Sequence, residues 1–304
     1  MARLILGCGN FGGIGSAPAF FGQGEGEEEA FAVMDAAWGL GITSFDTADA
    51  YGGGRSETWI GRWIASRRRR PSITTKVFHS VVGDPADRGL SADRIRRQIE
   101  GSLERLAVDR VDTYMVHQPD PDTPIAESVS AMAALVEAGT IGEIGASNVD
   151  RDWLEEALEV APISVVQNSY SLVDREAESE VLPFCEARGI AFTAFGPLAG
   201  GWLTGKYRRG ELAPRGSRMT LRPEPYAHLE DNGIYDGLER FEEVASDRGV
   251  EMARLAFAWL LSDPRVAGVV VGPRRPQHLQ PAVMAAEIDL SPGERDELAS
   301  LFPG

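Results

Sequence analysis

The sequence predicts a single-domain α/β fold, a (β/α)8 (TIM) barrel spanning residues 1–304. Three observations carry this. Short apolar, strand-like runs alternate with amphipathic helical stretches along nearly the whole chain, which implies parallel strands joined by right-handed crossovers. The strand-like runs number eight, the count that closes such a barrel. No break in composition marks a second domain, and 304 residues of 43% hydrophobic content suffice for one large core.

The elements follow in order. Residues 4–6 form the first strand. Residues 27–40 read as a helix because Phe31, Met34, Ala37 and Trp38 fall on one stripe. Strand 43–45 leads to a helix that Ser56 is placed to cap, with Trp59, Ile60, Trp63 and Ile64 on its apolar side. Strand 72–77 precedes a helix opening at Ser91, where Ile95, Ile99, Leu103 and Leu106 share a face. Strand 111–116 and helix 125–138 follow, then strand 141–146 and helix 152–159. Strand 164–167 is followed by helix 181–188 and strand 190–195. The polar segment 208–232 is too long for an ordinary connection and reads as a functional loop over the barrel mouth. Helices 234–248 and 252–261, strand 266–271 and helix 277–287 finish the pattern.

Composition narrows the function. With 46 acidic against 30 basic residues the net charge is −16, so nucleic acid and anionic lipid are poor partners. No run approaches the roughly 18 apolar residues of a membrane span, and the N-terminus lacks a signal-peptide pattern. Cys8 and Cys185 are expected to be reduced and non-catalytic, as in a soluble cytoplasmic protein. The run Arg67–Arg70 is expected to be a solvated helix end at the base of the barrel. Oligomeric state is not legible.

Gly7-Cys8-Gly9-Asn10-Phe11-Gly12 matches the dinucleotide fingerprint G-x-G-x-x-G. That motif needs a helix opening directly from its glycines. Here Gly13-Ile14-Gly15-Ser16-Ala17-Pro18 follows, which cannot begin one.

Asp46, Tyr51, Lys76 and His117 each stand just past one of the short runs 42–45, 72–75 and 111–116, which read as strands. On parallel neighbours the strand ends share one face, so a carboxylate, a phenol, an amine and an imidazole converge. A lysine there is costly to bury without a partner, and Asp46 can supply one. Free tyrosine titrates near pH 10. A nearby ammonium favours the phenolate and lowers that value, which suits a proton donor.

The segment Phe45-Asp46-Thr47-Ala48-Asp49-Ala50-Tyr51-Gly52, with Ser56-Glu57 after it, closely resembles the aldo-keto reductase family. The resemblance runs from Leu6 to about Glu287 and includes Gly145-Ala146-Ser147-Asn148, Gln167-Asn168, Gly196-Pro197-Leu198 and Leu203-Thr204-Gly205-Lys206-Tyr207. It implies that Tyr51 is the general acid, Lys76 and Asp46 the ion pair behind it, and His117 the group orienting a substrate carbonyl. It also implies NADPH as hydride donor. Gly9, Asn10 and Phe11 would line the nicotinamide pocket, although the family usually has Thr at the position of Asn10. Ser147, Asn148 and Gln167 would hold the carboxamide and Phe195 would stack on the ring. Asp46, Gly196, Pro197, Leu198, Gly200 and Lys206 would border the cofactor. Gly272, Arg274 and Arg275 match the phosphate-binding segment, and two arginines suit the 2′-phosphate of NADP. Pro281-Ala282 replaces the family's usual Glu-Asn at the adenine end, where Gln277 or His278 is left to compensate.

The expected activity is therefore reduction of an aldehyde or ketone, the substrate being a small carbonyl compound. Alternatives are a dehydrogenase oxidising a sugar or other alcohol, an NADPH-binding regulatory subunit resembling potassium-channel β subunits, and a Schiff-base aldolase using Lys76. The chain's opening directly on a strand weighs against the regulatory subunit. A buried Asp46 partner, keeping the amine protonated, weighs against the aldolase. Trp202, Tyr207 and the insertion are expected to shape the substrate pocket, with Arg218 or Arg222 meeting a carboxylate or phosphate.

Overall fold

Eight parallel strands close into a barrel in the computed structural model, which describes residues 3–303. They are β1 (Arg3–Gly7), β2 (Ser44–Asp46), β3 (Ser72–Val77), β4 (Val111–Val116), β5 (Ile141–Ser147), β6 (Val165–Ser169), β7 (Ala191–Phe195) and β8 (Val266–Val271). Each pairs with the next, and β1 pairs with β8 from Arg3 opposite Gly268 to Leu6 opposite Val271, which completes the circle. Every expected strand is present. Several run one or two residues further than their apolar stretches, because the hydrogen-bond ladder continues past the last apolar side chain. Asp46 and Ser147 are thus strand residues, held in register against Gly7 and Gln167.

The helices are α1 (Glu27–Gly39), α2 (Arg55–Arg67), α3 (Ala92–Leu106), α4 (Ile125–Glu137), α5 (Arg151–Val160), α6 (Val181–Arg188), α7 (Arg218–Leu221), α8 (Asn232–Asp247), α9 (Met252–Leu261), α10 (Gln280–Ala285) and α11 (Pro292–Ala299). Ser56 is not the cap of α2. Gly54, left-handed at φ 84°, holds that place. Ser56 lies in the first turn, where its hydroxyl donates to the Cys8 carbonyl at 3.0 Å and shares a 2.8 Å hydrogen bond with Thr47. The helix expected over 277–287 divides into a 3₁₀ turn, Pro276–Leu279, and the short α10. Helix α11 was not expected. It opens on a capping box, with the Ser291 hydroxyl accepting from the Glu294 N–H and the Glu294 carboxylate accepting from the Ser291 N–H.

The base of the barrel is built for stability. Trp63 of α2 is 1% exposed, packs 5.3 Å from Phe45 and donates to Asp35 at 2.9 Å. Arg67 also pairs with Asp35, and Arg69 lies 5.4 Å over Trp38, which accounts for the arginine run as a helix end. Helices α2 and α3 touch backbone to backbone at Gly61, where an added Cβ would fall 2.5 Å from the Arg105 carbonyl oxygen. Gly61→Ala is therefore expected to cost about 1–3 kcal/mol by overpacking, read as a lower melting temperature with activity retained. Both cysteines are free and buried. Among the described residues no helix is long and apolar enough to cross a membrane.

Candidate active site

The C-terminal ends of β2, β3 and β4 bring the four expected polar residues together. Lys76 and Asp46 form an ion pair at 2.5 Å, their side chains 1% and 4% exposed. Lys76 also donates to the Thr47 carbonyl at 3.0 Å, and the second Asp46 oxygen accepts from Gln167 Nε2 at 2.8 Å. A buried pair is tolerable only when its remaining hydrogen bonds are met in this way. Burial works against the ammonium, but Asp46 and Tyr51 overcome it and hold Lys76 above its usual value. The amine is therefore protonated, which leaves it no lone pair for Schiff-base chemistry.

Tyr51 stands on the turn after β2, its ring centroid 5.4 Å from Lys76 Nζ and edge-on to His117 at 5.5 Å. Gly9 faces the Tyr51 ring, and a Cβ there would touch it at 3.5 Å. Burial raises the phenol above its ordinary value, while the Lys76 charge pulls it back only in part. This corrects the expectation of a lowered value: desolvation of the phenolate outweighs one ammonium. Tyr51 is consequently protonated at neutral pH. His117 is neutral, because burial and then the Lys76 charge push its pKa well below normal. Its Nδ1 is buried without a partner among the described residues, which leaves Nε2 as the nitrogen available to a ligand.

His79, just beyond β3, was missed. It packs edge-on against His117 at 4.8 Å. Burial, then Arg222, Arg94 and Arg88, lower its pKa to about 4. The signal was its place three residues after Lys76, just past the end of the same strand.

The proposed cofactor residues occupy the adjoining strand ends. Ser147 is buried, and Asn148, at φ 55°, donates to the Ser147 hydroxyl at 3.2 Å and to the His117 carbonyl at 2.9 Å. Gln167 donates one of its two amide N–H groups to Asp46, which leaves its carbonyl oxygen and its second N–H for a carboxamide. Phe195 ends β7 half-buried, followed by Gly196 at φ 67°, Pro197 and Leu198. Gly200 lies under the Tyr226 ring, and Lys206 folds across Gly201. Phe11 is fully buried in the core, so only its backbone can border the pocket. Trp202 and Tyr207 are buried too, packed 5.0 Å from one another and with Tyr235 against Trp202. They support the wall rather than line it.

After β8, Gly272 opens on free space and Arg275 is exposed. Arg275, Arg274 and Lys206 all lie close enough to His278 to lower its pKa, after burial. This cationic group suits the phosphates of a dinucleotide. Arg274, however, is already engaged: Nε donates to Glu25 at 2.5 Å and Nη1 to the Gly216 carbonyl at 2.8 Å. Its own N–H donates to His278 Nδ1 at 3.3 Å. Glu25 was also missed. At the adenine end, Ala282 is buried in α10 and offers no polar group.

The segment 208–232 does cross the mouth. Arg218 donates to the Asn10 side-chain oxygen, Arg222 Nη1 donates to the Ile14 carbonyl at 3.2 Å, and Gly216 is held by Arg274. The glycine-rich stretch from Gly7 to Gly15 continues through turns with no helix, so it forms a wall of this mouth and not a dinucleotide fingerprint.

Comparison with known proteins bears on this geometry. The aldo/keto reductase family model matches residues 3–302. A probable voltage-gated potassium channel subunit beta from Oryza sativa is 35% identical, covering 88% of this chain and 85% of its own. The NADH-specific methylglyoxal reductase of Escherichia coli is 31% identical over 91% of this chain and 88% of its own. The solved glycerol dehydrogenase of Gluconobacter oxydans superposes with a TM-score of 0.84 at 28% identity, covering 98% of this chain and 90% of that one. A near-complete family match, a closed barrel and a lysine–aspartate pair at its mouth agree: the chain belongs to the aldo/keto reductase family of oxidoreductases.

Proposed function

We propose that the chain reduces an aldehyde or ketone to an alcohol with NADPH, Tyr51 acting as general acid. The observation that supports this most is the buried Lys76–Asp46 pair beside the Tyr51 ring. A carbonyl oxygen placed between the Tyr51 hydroxyl and His117 Nε2 receives two hydrogen bonds that strengthen as negative charge develops. Tyr51 then gives its proton to that oxygen. Lys76 stabilises the phenolate left behind, and Asp46, anchored by Gln167, keeps the ammonium in place. A nicotinamide cofactor held at these strand ends would supply the hydride. Gly9, Asn148, Ser147, Phe195 and Leu198 would hold its ring end, and Lys206, Arg274 and Arg275 its phosphates. Run backwards, the same groups oxidise an alcohol, the second reading, which the likeness to a glycerol dehydrogenase favours. A panel of aldehydes, ketones, sugars and polyols followed by NADPH or NADP absorbance tests both. No turnover in either direction, with cofactor still bound, would favour a regulatory role of the kind named for the channel subunit.

A charge-assisted hydrogen bond to the 2′-phosphate contributes about 1.5–3 kcal/mol, or roughly 10- to 150-fold. Because Glu25 neutralises part of Arg274, NADPH is expected to bind more tightly than NADH by about the lower of those factors. Arg274→Ala should narrow the gap, and Glu25→Gln should widen it. Fluorescence titration of both cofactors checks this; equal dissociation constants in the unmodified protein would remove these arginines from the cofactor site.

A further inference from the structure

Positive charge gathers at this mouth in a chain whose net charge is −16. Arg222 and Arg274 both lie within electrostatic reach of Arg218, and Glu25 is an acidic neighbour that also acts on it. Glu25 is taken by Arg274. Among the described residues neither Arg218 nor Arg222 has a carboxylate within ion-pair distance, although both are half-buried. A desolvated guanidinium without a counter-ion is costly, and a bound anion removes that cost.

The two arginines face different parts of the mouth. Arg218 is fastened to Asn10, on the side of the cofactor residues. Arg222 belongs to the substrate side. Its Nη1 donates to the Ile14 carbonyl, and the next residue, Gly15, accepts from the N–H of Gly52, adjacent to Tyr51. Its guanidinium lies 5.8 Å over the Phe20 ring. Of the charges acting on His79, Arg222 is the strongest, and His79 packs directly on His117. Among the described residues one of its five N–H groups is satisfied, and the Nε–Nη2 edge is left for a two-oxygen acceptor.

Resting on the reductase reading, the geometry points to a substrate class: short aldehydes bearing an anionic group, a carboxylate or a phosphate, that Arg222 and His79 hold while Tyr51 and His117 hold the carbonyl. The anion fixes the substrate's orientation, so charge affects the specificity constant mainly through KM. His79 contributes as a neutral imidazole, which donates from one nitrogen without repelling Arg222.

The test uses matched pairs. Succinic semialdehyde against butanal asks about a carboxylate, and glyceraldehyde 3-phosphate against glyceraldehyde asks about a phosphate. At least one anionic member should have a kcat/KM about 10-fold or more above its neutral partner, the scale of one charge-assisted bond. In Arg222→Met that ratio should fall towards one, and Arg222→Lys should restore part of it. Calorimetric titration of succinate and of glycerol 3-phosphate into the NADPH-bound protein supplies a readout independent of turnover. Binding that weakens at least about 10-fold in Arg222→Met supports the site even if no carbonyl is reduced, which would sink only the reductase reading. Ratios near one in the native protein, no binding of either anion, or equal losses for charged and neutral members in Arg222→Met would each overturn the proposal.

Discussion

Tyr51→Phe is expected to lower kcat for carbonyl reduction by at least about 100-fold, the usual contribution of a positioned general acid. NADPH affinity should be almost unchanged. The substitution removes one oxygen and leaves the ring against Gly9, beside Lys76 and edge-on to His117. The effect is thus confined to the proton that must reach the substrate oxygen. Substrate KM should change less than kcat, because the hydrogen bond from Tyr51 strengthens most in the transition state. Stopped-flow hydride transfer together with a cofactor titration separates the two. Retained turnover in the phenylalanine variant would refute the mechanism.

Lys76→Met should abolish activity and also destabilise the fold. Removing one partner of a buried ion pair typically costs about 3–5 kcal/mol, since the other charge stays desolvated. Asp46 would keep its bond from Gln167 but lose the ammonium. The folded-state pKa of Lys76 is raised above its ordinary 10.5. Its stabilising contribution is therefore complete below that value and fades only as pH rises through the folded pKa. The stability gap between native and variant proteins should stay constant from neutral pH to about pH 10 and narrow above it. Adding Asp46→Asn to Lys76→Met should recover much of the stability and none of the activity. In any residual turnover the alkaline limb should move to higher pH, because the ammonium no longer favours the phenolate. An unchanged pH profile in Lys76→Met would mean the amine does not tune Tyr51.

Most of the barrel was legible because parallel strands buried on both faces read as continuous apolar runs. Asp46, Lys76 and His117 were legible for a related reason: a charged or polar group just after such a run must find a partner at the strand end. Pairings between remote segments were not legible. Glu25 and Arg274 are separated by 249 positions, and nothing local to either announces their contact. His79 gains its meaning only from the ring of His117 beside it. The direction of the Tyr51 shift depends on how thoroughly the loops exclude water, a property of the assembled mouth. Helix α11 did leave a local sign, the Ser291-Pro292-Gly293-Glu294 start, but it lies beyond the last strand, where the alternating pattern no longer demands an element.

Closure of the barrel by β1 against β8 has a consequence for biogenesis. The partner of the first strand is the last to be synthesised, Val266–Val271. Until it emerges, β1 and β7 both present unpaired backbone, a template for association with other chains. A chain halted before Val266 would also lack Gly272, Arg274 and Arg275. Such a fragment should be both inert and prone to aggregate, so catalytic competence and protection from self-association arrive together, late in translation.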